Sequence, residues 1–336
     1  MQSKTLVAVL VSSVLAACGG GGGGSTATTP VTPPPVVTPP PVQSSDLQTS
    51  VPAMTYAAGS QEASFVTSYN NFRAAVGLGL LAQSTNLDTA AQNHLKYQGL
   101  NKDVDVYAID PKSGRPMFHI EDALRPGFTG VQEADRARFA GYAGQYVGES
   151  AAFGLGNGAL VGLQDLIGSV YHRSGLMFQY PRDIGVAVGT DANQTIVMEF
   201  GFKTTGQANA GDFIGVYPSD KQQGVGLNMS LEVPNPVPDV AFADFATKTG
   251  YPVSIVSVEG STMSVTSFTI TEAGGTAVPA RLLTKDNDPN KYLAANTAFL
   301  VGNAAFKPST TYNVQFSGAV NGKTVTKNWS FTTRAK

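Results

Sequence analysis

The stretch SVYHRSGLMFQYPRDIGVAVG, residues 169–189, joins an apolar helical run to a strand and so sets the order of elements in the chain. Apolar residues at helical spacing predict a helix over about 158–171, which ends within the first residues of this stretch. Its second part, DIGVAVG at 183–189, and TIVMEFGF at 195–202 predict two strands joined by a short polar turn. Helices followed by a hairpin indicate an α+β layered domain.

Three further helices are predicted earlier in the chain, at 61–76, 86–98 and about 131–140. In the first, apolar and aromatic side chains recur every three or four residues until Gly77 stops the run. The second carries His94 on the face that also holds its apolar residues. One face of each helix is therefore suited to packing in a layer.

After about residue 212, short alternating strands replace helical periodicity. Strands are predicted at 252–258, 262–271, 297–301, 311–317 and 324–333. Asn321 and Gly322 predict a two-residue hairpin between the last two strands, because both residue types tolerate positive φ. The closing TYNVQFSGAVNGKTVTKNWSFTT resembles bacterial Ig-like domains, so a β-sandwich is predicted over 213–333, with Trp329 in its core.

The N-terminus, MQSKTLVAVLVSSVLAAC, is typical of an export signal, since Lys4 precedes an apolar run too short to span a bilayer. Its end, LAAC, resembles a bacterial lipobox. Residues 1–18 are therefore predicted to be a lipoprotein signal peptide, with lipidation at Cys18. The alternative is an incidental cysteine after an ordinary signal, although Cys18 is the single cysteine of the chain.

Residues 19–55 are rich in Gly, Pro and Thr, a composition that cannot bury a core and predicts a disordered linker or stalk. Gly rather than Asp follows the cysteine, which favours the outer membrane in Gram-negative bacteria. We expect an exported outer-membrane lipoprotein, facing the periplasm or the cell surface, that contacts the membrane through its N-terminal lipid anchor. The net charge of −2 gives no basic surplus, so nucleic acid is a poor partner, and a monomer is expected.

Common catalytic motifs such as HExxH, GxSxG and the Walker loop are absent from the sequence. The candidates are instead three histidines, His94, His119 and His172, and two acids, Glu121 and Glu149. Two imidazoles with a carboxylate could bind a divalent metal or serve as acid and base, provided that the fold gathers them.

A series of motifs in this part of the chain resembles the bacterial form of the CAP superfamily, the SCP/PR-1-like, cysteine-rich secretory type. The series runs LDTAAQNHLKY, MFHIED, YVGESAAFG, SVYHRSGLMFQYPRDIGVAVG and VMEFG, in the order found in the family. The resemblance covers about residues 60–205 and implies a CAP domain over 60–210. The implied fold is α+β, a CAP-type α-β-α sandwich with a central cleft, followed by the all-β Ig-like sandwich.

The resemblance also implies that His119, Glu149 and His172 line the cleft and bind zinc or another divalent cation. A second bacterial pattern, H-x-x-Y, Asn and H-x-E before P-G-F-T-G, adds His94 and Glu121 as further candidates. The segment NKDVDVYAIDPKSGRP, which precedes His119, is expected to wall one side of the cleft.

Each candidate also has a structural alternative. His172, at the C-terminus of its predicted helix, could cap that helix through the dipole, and His94 could be a hydrogen-bonded core residue. Glu121 could be an exposed acid at a helix start. Glu149 follows a glycine in a predicted loop and, if buried, needs a partner such as an imidazole. Arg173 is expected to pair with a carboxylate or to pack its aliphatic stem.

These inferences predict a lipid-anchored cell-envelope protein whose cleft binds a divalent metal or a small or lipidic ligand, without established catalysis. Its partner would be an unidentified small ligand or envelope component. One alternative is an envelope hydrolase that uses His172 or Glu149 as general base. Another is an adhesin that acts through the β-sandwich, independently of the cleft.

Overall fold

In the computed structural model, residues 44–154, 156–190 and 194–336 are described. The signal peptide, Cys18 and the linker before residue 44 lie outside the described residues, so the predictions for them stay predictions. Below, residues 44–210 are called the N-terminal half and residues 213–336 the C-terminal half.

The helices of the N-terminal half follow the apolar periodicity of the sequence. They are α1 (Gln61–Val76), α2 (Thr85–Leu100), α3 (Glu133–Phe139), α4 (Ala159–Gly168) and α5 (Tyr171–Leu176). α1 begins where Ser60 accepts the backbone N–H of Ala63 at 3.1 Å. It ends at Gly77, whose φ of 89° favours glycine. Within the described residues, no helix combines the length and apolar character needed to cross a membrane.

Four strands form the sheet of the N-terminal half. They are β1 (Ala82–Gln83), β2 (Tyr146–Phe153), β3 (Asp183–Val188) and β4 (Thr195–Phe202), in the order β1-β3-β4-β2. β4 pairs antiparallel with both β2 and β3, whereas the short β1 pairs in parallel with β3. β4 is therefore a central strand, and its side chains must pack on both faces of the sheet.

Helices cover both faces of this sheet. Ile196 of β4 lies in one apolar cluster with Phe65 of α1 and Leu163 of α4. The next residue, Val197, points to the opposite face and clusters with Ala91 of α2. The N-terminal half thus has three layers, with α1, α4 and α5 on one face and α2 and α3 on the other.

The C-terminal half is built from eight strands in two sheets. The strands are β5 (Ile214–Tyr217), β6 (Gln222–Val225), β7 (Val253–Ser257), β8 (Met263–Glu272), β9 (Ala280–Thr284), β10 (Thr297–Gly302), β11 (Thr311–Val320) and β12 (Lys323–Thr333), with a short helix α6 (Phe245–Lys248) before β7. The sheet orders are β5-β7-β10-β9 and β6-β12-β11-β8. Phe299 of the first sheet and Trp329 of the second share one apolar core. The chain contains both helices and β-sheets, which agrees with the predicted α+β class.

The predicted hairpin at Asn321 and Gly322 is confirmed. Both residues have positive φ, 48° and 79°, and Val320 pairs with Lys323 across the turn. Positive φ at both turn positions matches the right-handed twist of the two flanking strands, which explains the choice of Asn-Gly.

The single helix predicted over 158–171 is two helices. α4 ends at Gly168 because Ser169 adopts an extended conformation, with φ −105° and ψ 176°. α5 then begins at Tyr171, so His172 lies in the first turn of a helix. The alternative in which His172 caps a helix C-terminus is therefore wrong.

Glu149 lies in β2 and not in the predicted loop. The segment YVGESAAF contains Gly, Ser and Ala, which have little intrinsic preference for strands. It is nevertheless extended, because it pairs with β4 along its whole length, from Tyr146 opposite Phe202 to Phe153 opposite Thr195. Tertiary pairing, and not local propensity, makes this segment a strand.

Arg173 connects the two halves. Its guanidinium is fully buried and donates to the carbonyls of Ile167 and Pro252, one in each half. It also lies over the rings of Tyr217 and Tyr251, 4.9 and 4.8 Å from their centroids. The expected carboxylate partner is replaced by carbonyls and aromatic faces, and burial lowers the pKa of the guanidinium. The domain boundaries stay predictions, since the apolar core runs from one half into the other.

We expect Arg173→Ala to lower the free energy of unfolding by about 3 kcal/mol, because two buried carbonyls would lose their donor. Arg138→Ala is the matched control, since the Arg138 side chain is 73 % exposed and its ion pair with Asp135 is worth well under about 1 kcal/mol. Urea unfolding of both variants measures the difference. Equal stabilities would show that Arg173 does not hold the halves together.

Candidate functional site

Four of the five candidate residues lie together on the α2–α3 face of the N-terminal sheet. We call this group, with two further residues, the ion cluster: His94, His119, Glu121, Arg136, Glu149 and Glu199. His94 comes from α2, Arg136 from α3, and Glu149 and Glu199 from β2 and β4. His119 ends the 3₁₀ turn Met117–His119.

Glu149 is held by two cationic or proton-donating side chains. Its Oε1 lies 2.7 Å from Nδ1 of His119, and its Oε2 accepts from Nη2 of Arg136 at 2.6 Å. The carboxylate is fully buried, and burial alone would raise its pKa. The neighbouring Arg136 and the two histidines outweigh that effect, so the pKa of Glu149 lies well below its usual value.

The pair of His94 and Glu121 orders the loop that follows it. His94 Nδ1 lies 2.8 Å from Oε1 of Glu121, and both side chains are fully buried. Glu121 Oε2 accepts the backbone N–H of Thr129 at 2.7 Å and is 3.4 Å from that of Gly130. Glu121 is therefore not an exposed acid, and His94 is hydrogen-bonded within the core.

Glu199 and Arg136 are members of the ion cluster that the sequence analysis did not select. Glu199 stands directly opposite Glu149 in the β2–β4 pair and is fully buried. Neither of its carboxyl oxygens has a hydrogen-bond partner among the described residues. Burial and the adjacent Glu149 raise the pKa of Glu199 well above its usual value. A charged residue inside the apolar run TIVMEFGF was the signal that could have identified it.

His172 lies apart from the ion cluster, on the face of the sheet that carries α5. Its Nδ1 is 3.1 Å from Oε2 of Glu232, which comes from the C-terminal half. The same carboxylate accepts the backbone N–H groups of Val170 at 2.6 Å and Tyr171 at 2.9 Å. Glu232 thereby satisfies the free donors at the start of α5 and holds His172 beside them.

The residues that the resemblance assigns to a metal do not fit a shared ion. Glu149 uses both oxygens for His119 and Arg136, whereas His172 is paired with Glu232 in another part of the fold. Within residues 44–154, 156–190 and 194–336, no group of three or more His, Cys, Asp or Glu side chains could hold a metal ion. A guanidinium this close to Glu149 also supplies the positive charge that a metal would bring.

A cavity of about 370 Å³ lies between α5, the N-terminal sheet and the C-terminal half. We call it the junction cavity, and its large apolar side chains are Tyr146, Tyr171, Met177, Phe178, Phe200 and Tyr292. Tyr146 and Phe200 point away from the ion cluster, because alternation along β2 and β4 places them on the opposite face from Glu149 and Glu199. The volume is within the range of small-molecule sites.

The segment predicted to wall a cleft reaches the edge of this cavity. Tyr292, which is 45 % exposed, donates its hydroxyl to the carbonyl of Gly114 at 2.9 Å. Gly114 belongs to the NKDVDVYAIDPKSGRP segment. This segment is therefore connected to the C-terminal half beside the junction cavity.

Comparisons with known proteins show limited likeness. The chain matches no protein-family model and no curated protein. Among solved structures it is similar to an extracellular SCP-domain protein from Bacillus anthracis, at 20 % identity and a TM-score of 0.33, over 43 % of this chain and 40 % of that one. It is also similar to an outer surface protein from Borrelia burgdorferi, at 15 % identity and a TM-score of 0.34, over 44 % of this chain and 96 % of that one. The chain thus spans less than half of the Bacillus protein, and likenesses this low carry no conclusion about function.

The pKa values of Glu149 and Glu199 are shifted in opposite directions, so Gln substitution at the two positions should change the free energy of unfolding in opposite directions. Glu149→Gln should lower the free energy of unfolding by about 3 kcal/mol at pH 7, because the fully buried Arg136 would lose the carboxylate that accepts from its Nη2 at 2.6 Å. A lowered pKa contributes stability above about pH 4.3, so this loss should shrink as pH falls through the lowered value.

Glu199→Gln is the matched comparison at the opposing strand position. A raised pKa contributes stability that is present below about pH 4.3 and is lost as pH rises through the raised value. Glu199→Gln should therefore match the wild type near pH 4 and become the more stable protein as pH increases. Urea unfolding between about pH 4 and pH 7 measures the free energy of unfolding of both variants. A Glu199→Gln protein less stable than Glu149→Gln at pH 7 would contradict the two pKa directions.

Proposed function

We propose that this chain is an exported, lipid-anchored envelope protein of CAP type that binds a small, largely apolar ligand in the junction cavity. The observation that carries the proposal is the cavity itself, about 370 Å³ in volume and lined by aromatic side chains from both halves. Apolar concave sites with a few polar groups are the usual form of small-molecule sites.

The CAP-type and Ig-like assignments are part of this proposal. They are supported by the helix layers on both faces of the N-terminal sheet and by the two four-stranded sheets of the C-terminal half. The order of the motifs in the sequence supports them as well. The C-terminal half would complete the ligand site, since Tyr292 and Asn296 line the junction cavity.

Binding is a better account of the site than hydrolysis. A general base must reach a water or a substrate, whereas Glu149 is 0 % exposed and His172, the other candidate base, has its Nδ1 3.1 Å from Oε2 of Glu232. Both oxygens of Glu149 are already engaged. The ion cluster therefore serves to hold α2, α3 and the loop at Thr129 on the sheet, and the accessible chemistry lies across the sheet in the junction cavity.

The ligand proposal is tested by filling the cavity from Gly175, which lines it on α5. A Cβ at Gly175 would meet nothing within 4 Å, so a larger side chain can enter the cavity without displacing backbone. Gly175→Leu should weaken binding of the neutral fluorescent probe N-phenyl-1-naphthylamine at least about tenfold, because the leucine occupies the volume that the probe needs.

The control is Gly99→Leu, at a helix position on α2 where a Cβ also meets nothing within 4 Å. Both variants make the same change in a helix, but Gly99 is exposed and lies outside the cavity. Fluorescence titration of the wild type and the two variants compares the affinities. Equal binding by all three proteins, or no binding by any, would reject the junction cavity as a ligand site.

The anchoring proposal rests on Cys18 at the end of the LAAC stretch and is independent of the cavity. Cys18→Ser should abolish incorporation of an alkyne-labelled fatty acid and should release the chain from the outer-membrane fraction, because two acyl signals are needed for stable anchoring. Labelling followed by cell fractionation measures both effects. Fatty-acid labelling that persists in Cys18→Ser would exclude this cysteine as the acylated residue.

A further inference from the structure

We propose that the junction cavity selects an organic ammonium ion that carries an apolar body. This inference rests on the proposed function, since it names the chemical class of the ligand for the same cavity. Two features of the lining carry it, which are a carboxylate without a cationic partner and several aromatic rings.

Glu259 supplies the carboxylate. Among the described residues that line the cavity, it carries the one charged side chain. Its Oε1 accepts the backbone N–H of Gln179 at 3.3 Å, and no cationic side chain of the described residues pairs with it. Burial raises the pKa of Glu259, which is the effect expected of a carboxylate that lacks a cation. An ammonium group from a ligand would provide that cation.

Aromatic rings supply the second feature. Tyr146 and Phe178 lie 5.2 Å apart between centroids, and Tyr171 and Tyr292 lie 5.2 Å apart in an edge-to-face pair. Ring faces attract cations through their quadrupole, most strongly where water is partly excluded. The same rings provide apolar area for the body of the ligand, which a small inorganic cation would not use.

The charges around the cavity favour a cation as well. The pKa of Tyr146 is raised to about 12 by burial first and then by the negative charges of Glu133 and Glu259, with Arg115 opposing them. Arg115 is itself paired with Glu133 at 2.8 Å.

On the other side, the hydroxyl of Tyr171 donates to Asp288. Burial, this hydrogen bond and the charge of Glu232 raise the pKa of Tyr171. His172, which neighbours Tyr171, is paired with Glu232. Acidic side chains thus act on both tyrosines, and their negative charges favour a cation nearby.

The same chemistry could come from a free amine or from the headgroup of a lipid. The probes are 2-phenylethylammonium for the free amine and monomeric dihexanoylphosphatidylethanolamine for the lipid. Their controls without an ammonium group are 2-phenylethanol and dihexanoylphosphatidylglycerol. The affinity of each compound is measured by its displacement of N-phenyl-1-naphthylamine from the protein. The protein is the full chain with the Cys18→Ser substitution, so that its own acyl groups are absent.

We expect at least one ammonium probe to bind about tenfold more tightly than its matched control at low salt. Glu259→Gln should abolish that preference, because it removes the negative charge from the cavity lining. Glu272→Gln is the control, since Glu272 pairs with Lys307 and lies outside the cavity lining. It should keep the preference.

Substitution of Tyr292 tests the aromatic part of the proposal. Tyr292→Phe keeps the ring and should keep the preference for ammonium, whereas Tyr292→Leu should reduce it, and Tyr292 is exposed enough for both variants to fold. Preference of one ammonium probe over the other would identify the source. Dye binding without preference for either ammonium would overturn this inference and leave the proposed function standing. Absence of dye binding would overturn both.

Discussion

The packing of the two halves against each other depends on the hydrogen bonds and ring contacts of the buried Arg173 guanidinium. The guanidinium donates to one carbonyl from each half and lies over the rings of Tyr217 and Tyr251. A buried charge is tolerated only when such partners are in place, so the two halves can meet in few arrangements. Because the same short helix carries Tyr171, Ser174 and Gly175 to the junction cavity, the position of Arg173 also fixes one wall of that cavity.

Glu232 adds a second constraint at the start of the same helix. Its carboxylate accepts two backbone N–H groups that α5 cannot satisfy internally and also contacts His172. A polar group from the C-terminal half therefore completes the local structure of the N-terminal half. This dependence explains why a new helix begins at Tyr171, within the SVYHRSG stretch.

The N-terminal sheet separates two kinds of chemistry. On one face, Arg136 and two histidines hold the pKa of Glu149 well below its usual value, whereas burial and the adjacent Glu149 raise the pKa of Glu199. On the other face, the lining of the junction cavity is mainly aromatic. Strand alternation is the cause, because Glu149 and Tyr146 are three residues apart on β2 and must point to opposite sides. The first arrangement stabilises the layers, and the second leaves space for a ligand.

The sequence by itself determined the helix at 61–76, the helix predicted at 86–98 and found at Thr85–Leu100, five of the eight strands of the C-terminal half and the Asn321-Gly322 turn, since apolar periodicity and turn chemistry are local properties. The short strands β5, β6 and β9 were not predicted. It also selected His94, His119, Glu121 and Glu149, which the structure gathers. Only the tertiary structure decided that β2 is a strand, that Glu199 and Arg136 complete the cluster and that His172 belongs elsewhere. The register of strand pairing and the sheet face on which a side chain lies depend on residues far apart in the chain. Local patterns in a single sequence do not reveal those contacts.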